Sequence, residues 1–140
     1  MPALFDTGAL ELLRRRSRRV EALAVKHYPP VLCSHVVDEY LYGQFHARVP
    51  DSALLAARLY LAPFEMLRPS DRTPDLCAQL RAGLHTKGVA VPDPICWIAA
   101  HALEHQLPVV TTDRHFRLLP ELRVHLVTVP KDLSGERAPA

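Results

Sequence analysis

The 140-residue chain has little glycine and little cysteine, with five residues of the first and three of the second. It also lacks any uninterrupted run of roughly 18 apolar residues, the length that a membrane-spanning helix requires. With 49% apolar and 23% charged residues, the composition excludes a collagen-like or disordered chain. We therefore expect one compact domain with a substantial core and no association with a membrane.

The three cysteines, Cys33, Cys77 and Cys96, have none of the close spacings of a zinc site or a redox motif. We expect them to be reduced thiols in the core. The first residues also lack a basic leader followed by an apolar stretch, so a cytoplasmic location is expected. The formal net charge of +2 is too small to indicate a nucleic-acid partner without regard to where the charges lie.

Short apolar runs alternate with helical apolar periodicity along the chain. The first helix is expected between Leu10 and Ala24, and Ser34, Thr73 and Asp93 each have the character of a helix N-cap. A nearly wholly apolar helix after Pro94 must be buried. The runs that we predict to be strands are Ala3–Phe5, Val31–Cys33, Phe64–Leu67, Val109–Thr111 and Arg123–Val129.

Buried strands separated by helices are typical of a parallel sheet that is covered on both faces, because each parallel connection needs a crossover helix. We expect a three-layer α/β domain with a central parallel sheet of about four or five strands flanked by helices. The domain is predicted to span residues 1–130 and the polar residues 131–140 to form a flexible tail.

Acidic residues follow the predicted strands where the strands end. Asp6 and Asp113 come after two of them, Glu39 lies just over a turn into the helix after Val31–Cys33, and Asp93 stands at the start of the buried helix. The carboxyl ends of parallel strands form the crevice where open α/β sheets bind ligands. Converging carboxylates repel one another, and a hard divalent cation such as Mg²⁺ or Mn²⁺ relieves that repulsion.

Each of these acids also has a purely structural explanation. Asp6, Asp93 and Asp113 are well placed to cap the helices that follow them, and Glu39 can lie on a solvated helix face. Convergence of the four residues is what distinguishes a metal site from four separate caps.

Four segments of the chain resemble the successive blocks of a PIN domain, most closely those of VapC-type toxins from bacterial toxin–antitoxin pairs. They occur in the family's order and are Leu4–Leu10, Val36–Gly43, Trp97–His105 and Val110–Phe116. The resemblance extends from Leu4 to about Val129. It implies a parallel-sheet endoribonuclease that uses Mg²⁺ or Mn²⁺, a VapB-like protein antitoxin as partner, and a homodimer.

The resemblance also implies roles for particular residues. Asp6, Glu39 and Asp113 match the family's first, second and fourth acids, and Thr111 matches a supporting threonine; Thr7 is a second supporting candidate. The third acid's usual position is held by Ile95. Asp93, two residues upstream, reaches the other acids only if the helix begins at Pro94, since two helical residues rotate a side chain by about 200°.

Candidate RNA contacts come from basic residues near these segments. The run Arg14–Arg19 contains five arginines, predicted on nearly every side of the first helix. A solvated helix face is the alternative explanation. The candidates are Arg14, Arg15, Arg18, Arg114 and His115.

Two other function classes remain open. The stretch from His101 to His105 matches the H-x-x-E-H pattern of a zinc hydrolase, although a third protein ligand is missing. Alternatively, loss of the third acid leaves a catalytically weak or inactive binding module. Metal uptake and RNA cleavage distinguish the three.

Overall fold

The computed structural model describes residues 1–129, and the predicted tail at residues 131–140 lies outside them. Its centre is a five-stranded sheet in which every neighbouring pair is parallel. The strands are β1 (Ala3–Phe5), β2 (Pro30–Cys33), β3 (Glu65–Leu67), β4 (Val109–Thr111) and β5 (Val124–Leu126), in the spatial order β3-β2-β1-β4-β5. The predicted parallel sheet is therefore confirmed, although the predicted strand Arg123–Val129 is longer than β5, which ends at Leu126.

In the part of the chain that the structure describes, six α-helices flank the sheet as a three-layer α/β fold, which confirms the predicted class. They are α1 (Thr7–Arg14), α2 (Arg18–Lys26), α3 (Ser34–His46), α4 (Asp51–Leu61), α5 (Arg72–Thr86) and α6 (Asp93–Glu104); a short 3-10 helix follows β4 at Arg114–Leu118. Within residues 1–129, none of these helices combines the length and the apolar character of a membrane span.

The prediction of a single helix from Leu10 to Ala24 is wrong. Arg16 has a φ of 61°, in the left-handed region that ends a helix. The Arg16 and Ser17 amides donate to the carbonyls of Leu13 and Leu12 at 3.0 and 2.9 Å, which closes α1 before α2 begins. The five arginines are thus divided between two helices and the turn that joins them.

The three N-cap assignments are also wrong, because each residue lies inside its helix. Ser34 and Asp93 are the first residues of α3 and α6, whose N-caps are Cys33 and Pro92. Thr73 lies in the first turn of α5 and is completely buried, where its hydroxyl donates to Glu104 Oε2 at 2.7 Å. The Thr73 hydroxyl, which the sequence assigns to a helix cap, is therefore used in a tertiary hydrogen bond to α6.

The core forms where the central strands meet α1 and α6. All residues of β1 and β4 are buried, and seven residues of α6 are buried with them, as its apolar sequence predicts. The cysteines are free and buried, in agreement with their predicted state. Burial of each large apolar side chain contributes about 1.5–3 kcal/mol, so the central strands are firmly held. They give the adjoining strand ends a rigid support.

Candidate metal centre

Asp6 immediately follows β1 and begins α1 as its N-cap. Its Oδ1 accepts a hydrogen bond from the Ala9 amide at 2.9 Å, and its own amide donates to the Val110 carbonyl at 3.1 Å. The side chain is only 5% exposed. Its other oxygen, Oδ2, accepts a short hydrogen bond from the Thr111 hydroxyl. Asp6 is thus fixed both by the helix that it caps and by the neighbouring strand.

Thr111 links Asp6 to Asp113. Its Oγ1 donates to Asp6 and accepts from the Asp113 amide at 2.8 Å. Asp113 caps the 3-10 helix, since its Oδ1 accepts from the His115 amide at 2.9 Å. The same oxygen lies 2.7 Å from His115 Nδ1. The supporting position predicted for Thr111 therefore has a definite geometry.

Glu39 approaches from α3, on the other side of β1. The Thr7 hydroxyl donates to Glu39 Oε2 at 3.2 Å. Glu39 Oε1 is buried and has no hydrogen-bond partner among the residues that the structure describes. An unpaired buried oxygen is costly, because the atom has lost water without gaining a replacement. Glu39 therefore has one oxygen that is available to a ligand.

Asp6, Glu39 and Asp113 line one cavity of about 290 Å³ at the carboxyl ends of β1 and β4. Burial raises the pKa of Asp6 to about 6; hydrogen bonds from Thr111 and Ala9 oppose this rise, and the negative charges of Asp113 and Glu39 add to it. The remaining lining residues are Thr7, Gly8, Pro92, Pro94, Ile95, Ile98 and Thr112. The carboxylates do not yet enclose an ion: in residues 1–129, no three His, Cys, Asp or Glu side chains form a group that could hold a metal.

Asp93 does not join the other carboxylates. Its Oδ1 lies 3.2 Å from Arg81 Nε, and the two side chains are 61% and 53% exposed. Because α6 begins at Asp93 rather than at Pro94, Ile95 lies in the cavity wall while Asp93 points to a neighbouring cleft. Asp93 was expected to reach the other acids only if the helix began at Pro94, and the structure does not meet that condition.

Gly8 is a residue of this site that sequence reasoning missed. A Cβ at position 8 would lie 2.1 Å from the hydroxyl oxygen of Thr112, which lines the cavity. A glycine in the first turn of a helix, where its flexibility is unfavourable, was the available signal. Its lack of a side chain allows α1 and the end of β4 to approach closely.

Part of the predicted arginine cluster is paired with acids of the same segment. Glu11 pairs with Arg14 at 2.5 Å and with Arg15 at 3.1 Å. Arg14 ends α1, about 12 Å along the helix from Asp6 at 1.5 Å per residue. Arg18 is exposed in α2. Arg114 and His115, by contrast, lie next to Asp113 and line a shallow depression with it.

Among the described residues, the H-x-x-E-H stretch does not form the zinc site that its pattern suggests. His101 is completely buried, and Glu104 is bound to the hydroxyls of Ser70 and Thr73. His105 Nε2 is 4.0 Å from Glu104. His101 is packed in the core and Glu104 is hydrogen-bonded to α5 and the loop before it, so these side chains do not face a common ligand.

The fold and the cavity define a class: a parallel α/β domain with carboxylates at the carboxyl ends of its central strands. Residues 3–122 match the family model of the PIN domain. The chain belongs to the PIN domain family, which supports nuclease activity in general. No protein of curated function matches the sequence.

Solved structures with the same fold include VapBC proteins and FitAcB. VapBC2 from Rickettsia felis, bound to a promoter DNA fragment, gives a TM-score of 0.77 at 19% identity, over 91% of this chain and 99% of that one. DNA-bound VapBC from Salmonella typhimurium gives a TM-score of 0.78 at 23% identity, over 89% of this chain and 98% of that one. FitAcB from Neisseria gonorrhoeae gives a TM-score of 0.71 at 24% identity, over 87% of this chain and 95% of that one. At these identities the likeness establishes the fold.

Proposed function

We propose that this protein is a metal-dependent endoribonuclease, the toxin of a VapBC-type pair, which hydrolyses phosphodiester bonds in RNA. The observation that supports this most strongly is the cavity at the strand ends, which is lined by Asp6, Glu39 and Asp113. PIN domain nucleases generally use divalent metals. The three carboxylates are our proposed ligands.

The residues present fit a hard cation such as Mg²⁺ or Mn²⁺. Carboxylate oxygens are the preferred donors of these ions, and Glu39 Oε1 is buried without a partner. A bound cation would neutralise the repulsion between the acids, lower the pKa of a water molecule and stabilise negative charge on the phosphate. Among residues 1–129, the side chains do not enclose an ion as they stand.

The protein's own contribution is to position the carboxylates. Thr111 holds Asp6 and Asp113 in fixed relation, and Thr7 holds Glu39 Oε2, while Oε1 has no hydrogen-bond partner among the described residues. Asp113 is 38% exposed, whereas Asp6 is buried. Asp113 is therefore the carboxylate that an incoming RNA phosphate approaches first, and Arg114 beside it supplies a positive charge.

A VapB-like antitoxin is the proposed protein partner. Similar folds were solved as VapBC complexes from several bacteria, two of them bound to DNA. Self-association as a homodimer remains a prediction from the resemblance.

Cleavage of RNA by the purified chain tests the proposal. We expect single-stranded RNA to be cut with Mg²⁺ or Mn²⁺ and not with EDTA. Asp6→Asn keeps the helix cap, because asparagine caps equally well, but removes the charge and should reduce the rate about 100-fold or more. Asp51→Asn makes the same change at the exposed start of α4 and should leave the rate unchanged. Equal cleavage by wild type and Asp6→Asn would reject the assignment.

An inactive binding module is the second candidate, and one observation favours it. Ile95 lines the cavity where the third acid is expected, and Asp93 is paired elsewhere. Tight antitoxin binding by a chain that takes up no Mn²⁺ and cuts no RNA would establish this alternative.

A further inference from the structure

A second, larger cleft of about 840 Å³ lies beside the acidic cavity. The loop before α6 separates the two, and Pro92 lines both. His115, which contacts Asp113, lines the cleft from the other side. The cleft thus adjoins the site where the phosphodiester bond is to be cut. Its size lies within the range of about 300–1,000 Å³ that is typical of small-ligand sites.

One wall of the cleft is a face of α5 with alternating large and small side chains. Arg81 and His85 are one turn apart on that face, and Ala78 and Ala82 lie between and below them. The alanines leave space between the basic side chains. Arg81, His85 and His115 offer a guanidinium and two imidazole rings, the groups that bind phosphate and stack on unpaired bases.

Asp93 holds Arg81 in this cleft. The contact uses Arg81 Nε, so it leaves the two terminal nitrogens of the guanidinium for another acceptor. An exposed ion pair of this kind contributes little to stability. In the structure it places the Arg81 guanidinium beside Asp93 in the lining of the cleft.

We propose that this cleft binds the nucleotide next to the scissile phosphate of a single-stranded RNA, with Arg81 on a phosphate and His85 against a base. The proposal rests on the proposed nuclease function, and it gives Asp93 the part of a positioning residue for Arg81. The RNA then runs from the acidic cavity past His115 to the C-terminal end of α5.

RNA binding in an Asp6→Asn background separates this inference from the cleavage assignment. We would measure fluorescence anisotropy of a labelled single-stranded RNA of mixed sequence, with Asp6→Asn alone and combined with Arg81→Ala. Loss of the arginine should weaken binding about 10-fold and reduce the slope of log affinity against log salt by about 0.7, the contribution of one single-strand phosphate. Arg81→Lys should weaken it less.

Arg72→Ala is the matched control, since Arg72 is an exposed arginine at the other end of the same helix. It should bind RNA like its parent. In the active protein, Arg81→Ala and Asp93→Asn should raise KM with kcat within about twofold, the signature of lost binding. A large fall in kcat for Asp93→Asn would instead indicate that Asp93 is a metal ligand, and it would contradict the proposal that Asp93 positions Arg81.

The two proposals fail in different ways. If the wild-type chain cuts no RNA, the nuclease assignment fails, while anisotropy still decides whether the cleft binds RNA. If the wild type cuts RNA but Arg81→Ala binds as tightly as its parent with the same salt slope, the cleft proposal is overturned and the nuclease assignment stands.

Discussion

Thr111 connects the carboxylate of Asp6 to the backbone amide of Asp113 through a single hydroxyl group. Thr111→Val keeps the shape of the side chain but leaves Asp6 Oδ2 and the Asp113 amide without this partner. We expect the free energy of unfolding to fall by about 1–3 kcal/mol, the cost of buried groups left unpaired. Urea denaturation in EDTA measures it.

Thr86→Val is the control for that substitution. The Thr86 hydroxyl is exposed and donates to the Ala82 carbonyl of its own helix at 3.0 Å, so its removal should change stability by less than about 0.5 kcal/mol. Equal stabilities for Thr111→Val and the wild type would show that the hydroxyl does not hold the carboxylates.

Gly8 is expected to tolerate no side chain. Gly8→Ala places a Cβ 2.1 Å from Thr112 Oγ1 and should lower the free energy of unfolding by about 1–3 kcal/mol, as overpacking does. Adding Thr112→Ala should restore most of the loss, because it removes the clashing oxygen. Thermal denaturation of the single and double variants makes the comparison.

Gly83→Ala is the control for Gly8→Ala, and it should raise the free energy of unfolding instead of lowering it. Gly83 lies inside α5, and a Cβ at this position would meet no atom within 4 Å among the described residues, so alanine there should stabilise the protein by about 0.5–1 kcal/mol. A gain of similar size for Gly8→Ala would disprove the close packing of α1 on the end of β4.

At the residue scale, the sequence identified the acids that converge but not the direction of each side chain. Asp6, Glu39 and Asp113 line one cavity, as their places after the strands predict. Asp93 was assigned by proximity to Ile95, and its direction depends on the residue at which α6 begins. Successive residues of a helix differ in direction by about 100°, and local sequence does not resolve helix boundaries to one residue.

At the scale of an element, α6 carries a buried imidazole. His101 is fully buried, and neither ring nitrogen has a hydrogen-bond partner within residues 1–129. Burial lowers the pKa of His101 below its ordinary value of 6.5; Glu104 opposes the shift, and His105 and His35 add to it. The folded protein therefore favours the neutral ring.

This preference predicts a loss of stability in acid. Below about pH 6.5 the unfolded chain binds a proton at His101 that the folded chain resists, so the free energy of unfolding falls as the pH falls. His101→Met should reduce the loss between pH 7 and pH 5, while His46→Gln, at an exposed histidine, should keep it. Urea titrations at both pH values test this, and an unchanged pH dependence in His101→Met would refute it.

Strands were easier to predict than helix boundaries. β1 and β4 match the sequence prediction at both ends, because buried apolar runs stop sharply where polar residues begin. The break between α1 and α2 was not predicted, since it depends on the left-handed backbone of Arg16 and on no proline or glycine. Thr73 was misassigned because its partner, Glu104, lies 31 positions away in sequence.

At the scale of the whole molecule, strand order explains the site. β1 lies between β2 and β4, so the residues that follow these three strands meet at one edge. The crossover helices then add Glu39 from α3 and Ile95 from α6. Parallel topology was predictable from the alternation of strands and helices, whereas the pairing of Arg81 with Asp93 required the packing of α5 beside α6.

Binding of Mn²⁺ is the most direct test of whether the three carboxylates form a cation site. Titration of the protein with Mn²⁺, followed by electron paramagnetic resonance, should show a site in the wild type that Glu39→Gln weakens about 10-fold or more. Asp38→Asn alters the adjacent, exposed acid of the same helix and should bind like the wild type. Equal Mn²⁺ affinity in Glu39→Gln and the wild type would contradict the proposed centre.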